Sequence, residues 1–190
     1  MITKIGQLLA TNLTKPATST FSPLPVLTAG SMPNAIYSAK AAGGTSYYLK
    51  ATPYSASKTF RAAAMSDSGS DGIYIGSGTT AATEDDYAME NVITSCTATI
   101  TDTTVYDSEN YRYIERLEIT ISNPTAADVT VSELGLFVSV QTASSRGTST
   151  SANPKLFMVE HTVLATPVTV PAGEASVIRY DFIYPAQATT

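Results

Sequence analysis

Between Tyr111 and Ser122 the chain alternates with a period of two. Tyr111, Tyr113, Leu117, Ile119 and Ile121 hold odd positions, while Arg112, Arg116, Glu118, Thr120 and Ser122 hold even ones. Successive side chains of an extended chain point to opposite faces, so this pattern specifies a strand with one buried face and one wet face. Asn123-Pro124 ends it as a turn. Related segments follow. Val129 and Val131 lead into the continuous apolar run Leu134 to Val140, and Leu156 to Leu164 is apolar and β-branched. Ser176 to Tyr184 sets Ile178, Tyr180, Phe182 and Tyr184 on one face. Pro167 and Pro171-Ala172-Gly173 are expected to be turns, because proline brings no amide to a ladder. Upstream, Gly72 to Gly76 reads as a short strand closed by the glycine turn Gly76-Ser77-Gly78, and Val92 to Ile100 is strand-like. Short alternating strands with turn punctuation and no internal repeat predict a mainly β fold, an antiparallel β-sandwich of jelly-roll type.

The first seventy residues lack this periodicity. Ile2, Ile5, Leu8 and Leu9 fall on one face at helical spacing, which predicts a short amphipathic helix from Ile2 to Thr11. Pro16, Pro23, Pro25 and Pro33 then punctuate the chain, as in an extended arm. Tyr47 to Ala51 and Lys58 to Met65 read as strands, and Ser66 to Gly72 as a flexible connector. The expected division is therefore residues 1–70 as an N-terminal arm and docking region and residues 71–190 as the β-sandwich, with a fragment from about Ser70 able to fold alone. Ile2, Ile5, Leu8, Leu9, Leu13, Phe21, Leu24, Val26 and Leu27 are too many apolar residues for a solvated tail, yet too proline-broken for a central sheet. Such a segment is best satisfied in a groove on another chain. Those residues are the candidate assembly site.

Charge points the same way. Charged residues make up only 14% of the chain, against about 25% in an ordinary soluble domain. A weakly charged surface suits a protein covered by neighbours, and predicts a homo-oligomer. The net charge of −5, with no basic cluster, argues against direct binding to nucleic acid, which requires grouped Lys and Arg to displace counterions. No apolar stretch approaches the length of a membrane helix, and no signal peptide is visible, so the expected site of synthesis is a host cytoplasm.

Few residues offer chemistry. Cys96 is the only cysteine, so an internal disulfide is impossible, and its strand-like surroundings predict a small buried thiol. His161 is the only histidine. Simple alternation puts it on the face of Phe157, Val159 and Val163, where a packed or hydrogen-bonded structural role is expected over a general base. No serine lies in a G-x-S-x-G context. Glu84-Asp85-Asp86 is the densest carboxylate cluster, but the spacing of a calcium loop is absent, so a solvated acidic loop or a single helical turn over Glu84 to Tyr87 is expected. Gly76-Ser77-Gly78 lacks the lysine of a phosphate loop. The expectation is no catalytic residue, no cofactor and no metal. Eleven tyrosines against no tryptophan supply amphipathic contact area suited to subunit interfaces or to sugar stacking.

Three phrases carry a resemblance. Gly72 to Asn91, reading GIYIGSGTTAATEDDYAMEN, Val131 to Phe137, reading VSELGLF, and Thr162 to Glu174, reading TVLATPVTVPAGE, resemble segments of small bacteriophage virion proteins of the capsid-decoration, head-fibre or tail-accessory kind. The resemblance covers roughly residues 72–184. It implies a β-sandwich and a structural, non-catalytic role in the virion, with capsid or tail subunits as partners, and transfers no functional residue. The competing expectation is a carbohydrate- or host-surface-binding module that uses exposed tyrosines and the long Ser/Thr/Gly/Asn-rich loop from Gln141 to Pro154. A two-carboxylate glycosidase is a third possibility, without a positive signal.

Overall fold

The computed structural model describes residues 38–49, 59–143 and 154–185. Within them lie nine strands: β1 (Ser38–Lys40), β2 (Ser46–Leu49), β3 (Gly72–Gly76), β4 (Thr97–Asp107), β5 (Arg112–Ser122), β6 (Val129–Val140), β7 (Thr142–Ala143), β8 (Lys155–Val170) and β9 (Ala175–Pro185). The described residues contain no helix. The strands form three antiparallel sheets in the orders β1-β2-β7, β3-β6-β8 and β4-β5-β9. The expected helix at Ile2 to Thr11 and every candidate arm residue from Ile2 to Leu27 lie outside the described residues.

The alternation of β5 is realised as expected through most of its length. Leu117, Ile119 and Ile121 are buried, and Glu115, at the same parity, is buried with them. Leu117, Ile119 and Ile121 meet Ile178 of β9, Ile73 and Ile75 of β3, and Leu134 and Leu136 of β6 in one apolar cluster that also encloses Cys96. The sheets β4-β5-β9 and β3-β6-β8 thus share a core, which removes apolar surface from water on one face of each.

Two connections cross between these sheets at the same end. One leads from β5 to β6 and the other from β8 to β9, and Asn123 fastens them together. Its side-chain amide donates to the carbonyls of Ala127, Val170 and Pro171, while its Oδ1 accepts from Thr125 N and Oγ1. Its backbone exchanges hydrogen bonds with Glu174 and Gly173. The residue read from sequence as a simple turn former is the hub of two turns.

The sheet β3-β6-β8 is buried on its other face as well. There Tyr74, Phe137, Leu156 and Met158 pack with Ala42 and Met89, and with the half-buried Met65 and Val92. This explains why β6 is a continuous apolar run while β5 alternates: a strand covered on both faces has no solvent side to keep polar. Part of the cover comes from residues before 71. Ala42 N donates to Leu156 O and Leu156 N to Asp67 O, and β2 pairs with β7 through Tyr48 and Ala143. Described residues within 38–49 and 59–70, a region assigned to the arm from sequence, thus make hydrogen-bonding and packing contacts with β6, β7 and β8.

Several local expectations are corrected. Lys58 to Met65 is not a strand. Among its described residues only Phe60 forms a bridge, parallel to Ile73. The connector Ser66 to Gly72 is tied down, since Asp67 accepts from Gly43 N at 2.7 Å and from the Tyr47 hydroxyl at 2.9 Å. Pro167 is not a turn but lies within β8. Val131 pairs with Val168 and Glu133 with Val163, so Ser132 stands opposite an excursion of residues 164–167, where proline's missing amide costs no ladder bond. The strand expected over Val92 to Ile100 begins at Thr97 and continues to Asp107. Of the loop from Gln141 to Pro154, Thr142 and Ala143 form β7, and residues 144–153 lie outside the described residues.

Candidate functional site

The one histidine is placed by an irregularity that alternation cannot reveal. Leu136 pairs with Glu160 but Phe137 pairs with Met158, so Val159 is an extra residue in β8. Such a bulge reverses the facing of everything beyond it. Val159 packs into the shared core, whereas His161, opposite Gly135, joins the outer face that carries Phe137 and Met158. The expectation that His161 shares a face with Val159 is corrected on this ground.

On that outer face His161 is held between two carboxylates. Nδ1 lies 2.6 Å from Asp86 Oδ2, and Nε2 lies 3.1 Å from Glu133 Oε2. Neither carboxylate can donate when ionised, so only the doubly protonated imidazolium satisfies both contacts. The hydrogen bond to Glu133 is the largest influence on His161 and raises its pKa above the ordinary 6.5; burial opposes the rise and Asp86 adds to it. For Glu133, burial is the largest influence and acts upward. The bonds from His161 and from three backbone amides outweigh it, holding the carboxyl below its ordinary 4.5. Asp86 is lowered in the same way, with burial outweighed by bonds from Thr83 and His161.

Glu133 immediately precedes the apolar run of β6 and is only 1% exposed. Its Oε1 accepts from Gly78 N and Asn91 N, both at 3.0 Å, and its Oε2 accepts from Glu90 N at 3.3 Å. A Cβ on Gly76 would stand 2.3 Å from Oε1 of Glu133, and one on Gly78 would stand 2.7 Å from it. The glycines of Gly76-Ser77-Gly78 are there so that the backbone can close around a carboxylate of the same chain.

The rest of the loop is organised by two further carboxylates. Glu90 Oε2 accepts from Thr79 N, Thr80 N and Thr80 Oγ1. Asp86 accepts from Thr83 N at 2.8 Å and Thr83 Oγ1 at 2.7 Å. Thr83-x-x-Asp86 makes the backward half of a capping box, in which the third residue reaches back to the first amide. The helical turn expected over Glu84 to Tyr87 does not form; residues 84 and 85 make a plain turn. A depression of about 200 Å³ opens beside the node, lined by Thr80, Ala81, Asp86, Ala88, Glu90 and His161.

A general base needs a ring nitrogen free to take a proton, and both nitrogens here already face carboxylates. The acidic donors point at the imidazole and at amides instead of converging on a common point. Among the described residues, no group of three or more His, Cys, Asp or Glu could hold a metal ion. No helix among them is long and apolar enough to cross a membrane.

The structure unites His161 and Asp86, which the sequence singled out separately, and adds Glu133, which it did not. The available signal was a lone acid inside an otherwise apolar strand. Cys96 is buried away from the node, in the shared core. Two of the three phrases that carried the resemblance meet at this place: the first supplies Gly76, Gly78, Asp86 and Asn91, and the second supplies Glu133 and Gly135; His161 lies just outside the third, which begins at Thr162. No protein-family model, no curated protein and no solved structure matches the chain.

Proposed function

We propose that this chain is a non-catalytic structural component of a bacteriophage virion, of the capsid-decoration, head-fibre or tail-accessory kind. It acts by assembling with capsid or tail subunits and with copies of itself. Its body is a jelly-roll-like β-sandwich, and the apolar, proline-broken segment containing Ile2, Ile5, Leu8, Leu9, Phe21, Leu24, Val26 and Leu27 is the assembly arm.

The observation that carries this reading is that two of the three resemblance phrases meet at the Glu133 node. Residues far apart in sequence are joined there by architecture: two glycines admit a carboxylate, the carboxylate closes a loop, and His161 ties the loop to the sheet. Removal of residues 2–33 tests the reading. The shortened protein should keep its melting temperature but fail to join oligomers or particles. Normal assembly, or a much lower melting temperature, would assign those residues to the fold itself.

A second reading has its own observation. Tyr111 is 69% exposed, and Tyr106 and Tyr113 stand beside it with ring centroids 5.0 Å apart. Exposed aromatic rings can stack on sugars, which supports a carbohydrate- or host-surface-binding module. Glycan-array binding that is lost in Tyr111→Ala would favour it.

A further inference from the structure

Register fixes which residues the sheet β4-β5-β9 turns away from the core. Leu117, Ile119 and Ile121 point inward, so Ile114, Arg116, Glu118 and Thr120 point outward. Pairing extends each of these four into a row of three across the sheet. Arg116 stands between Thr103 and Asp181, and Glu118 between Thr101 and Arg179. On either side of these middle rows, Ile114 stands between Val105 and Ile183, and Thr120 between Thr99 and Val177. The positions on β4 and β9 are exposed and those on central β5 are half-buried. Val105 is 44%, Ile183 54% and Val177 58% exposed, so apolar side chains meet water at both ends of the face.

The two middle rows form a checkerboard of charge. Arg116 binds Asp181 through two bonds of 2.9 and 2.8 Å, and one row further Arg179 binds Glu118 at 2.9 Å. The sign therefore runs plus then minus along β5, and minus then plus along β9. Exposed pairs of this kind add little to the stability of a lone chain. They do hold four charges at fixed positions on a flat surface. That surface is neutral on a body that is not. Residues 67–190 hold all sixteen acidic residues of the chain against five basic ones, and two of those five stand here. Two acidic bodies repel as they approach, and a neutral, patterned face is where that repulsion is least.

A checkerboard is its own complement. Consider a second copy turned by a half rotation about an axis that lies in the sheet plane, crosses the strands and passes midway between the charged rows. Arg116 then faces the second copy's Glu118, and Asp181 faces its Arg179. The same operation lays the row of Val105, Ile114 and Ile183 over the row of Thr99, Thr120 and Val177, so Ile183 meets Val177. Each strand lies over its own counterpart, and all four rows are matched. A twofold axis along the strands, between β5 and β9, also opposes the charges, but it leaves β4 facing nothing.

We propose that the outward face of β4-β5-β9 is a twofold contact between two copies of this chain, with Arg116 opposite Glu118 and Asp181 opposite Arg179 at its centre. The contact is isologous, the same patch serving both copies, and the two sheets pack face to face about 10 Å apart. At about 4.8 Å between strands and 6.8 Å between rows, the face measures roughly 15 by 27 Å, on the order of 400 Å² per copy. That is about half the share each partner buries in a stable complex. Free chains therefore exchange partners, and repetition on an assembled particle makes the contact durable. This rests on the proposed assembly of the chain with copies of itself, and it names the face and the symmetry.

The test uses two variants of the full chain, Arg179→Glu and Asp181→Arg. Each breaks one exposed ion pair, so each should melt with the wild type. Across the twofold, each variant alone sets like charges against each other twice, and sedimentation equilibrium should show self-association weakened at least tenfold. Mixed in equal amounts, with one of them labelled with nitrogen-15, the two should associate again, because both contacts in the mixed pair join opposite charges. Native mass spectrometry should then show mixed-label dimers in excess of either uniform pair. Association of either variant at wild-type strength overturns the proposal. So does a mixture that stays monomeric, which is the result for a twofold along the strands, where two repulsions persist. Unchanged association in both variants, with association lost on removal of residues 2–33, puts the self-contact in the arm: this inference fails and the reading beneath it stands. A wild-type chain that stays monomeric up to millimolar concentration overturns both this inference and the self-assembly on which it rests.

Discussion

The imidazole Nε2 of His161 stands 3.1 Å from Oε2 of Glu133, across two neighbouring strands of one sheet. Through this contact and the one to Asp86, a loop of the first half of the chain is fixed to a sheet built mostly from the second. Glu133 and His161 are buried and Asp86 is partly so, and the network's value lies in being complete: removing one member leaves the others desolvated without compensation.

His161→Gln should lower stability by about 3 kcal/mol, the usual cost of breaking a buried ion pair from one side. Glu133→Gln should cost more, because an amide group would then face Gly78 N, Asn91 N or Glu90 N, all of which are donors. Chemical denaturation of the two variants beside the wild type measures both. Equal melting of all three would show that the node contributes nothing.

The same node sets a pH window. The folded values of Glu133 and Asp86 are lowered, so their contribution is full above the ordinary carboxylate range and is lost as pH falls through the lowered values. The folded value of His161 is raised, so its contribution is full below 6.5 and is lost as pH rises through the raised value. Stability from the node is therefore greatest between about pH 4.5 and 6.5. Thermal melts across pH should fall on both sides of that window, and His161→Gln should remove the alkaline fall while keeping an acidic one.

Two glycine substitutions should differ in mechanism. Gly76→Ala drives a methyl group to 2.3 Å from Glu133 Oε1 and 2.6 Å from Asn91 O, and should cost roughly 3 kcal/mol or more because the carboxylate cannot retreat from a filled core. Gly173→Ala meets nothing within 4 Å but sits at φ of 73°, so it should cost only about 1 kcal/mol, from backbone strain alone. Restoring space with Glu133→Asp should partly rescue the first and leave the second unchanged.

Truncation separates arm from body. A chain beginning at Ser38 should melt within a few degrees of the full protein. A chain beginning at Ser70 loses Ala42, Met65 and Asp67, and with them the cover over Tyr74, Phe137, Leu156 and Met158. It should bind a hydrophobic dye and melt without a sharp transition. A sharply melting Ser70 chain would support the division at residue 70.

Tyr111→Gly should stabilise the β4–β5 hairpin by up to about 1 kcal/mol, since glycine adopts φ of 48° without strain. Thermal melts of the variant beside the wild type measure this; an unchanged or lower melting temperature would show that the φ of Tyr111 stores no strain.

Sequence alone determined the β class and most of the second half. The alternation of Leu117, Ile119 and Ile121, the apolar run of β6, the short strand Gly72 to Gly76 and the face carrying Ile178 all follow from the two-residue period of an extended chain, which is a local property. What sequence could not supply was any fact depending on which strand lies beside which. The stretch Thr101 to Thr104 is polar on both faces and carries no pattern of its own; it is a strand only because Glu115 to Glu118 pair with it. Pro167 reads as a turn until the excursion opposite Ser132 accommodates it. The facing of His161 was inverted by one extra residue at Val159, and a bulge leaves no trace in composition. Glu133 was passed over because a single acid in an apolar strand looks like noise until three amides and an imidazole from distant segments are seen to need it. Local periodicity tells each strand which side is wet. Only the packed structure decides which polar groups are close enough to neutralise one another, since that energy depends on distance in space and not on distance along the chain.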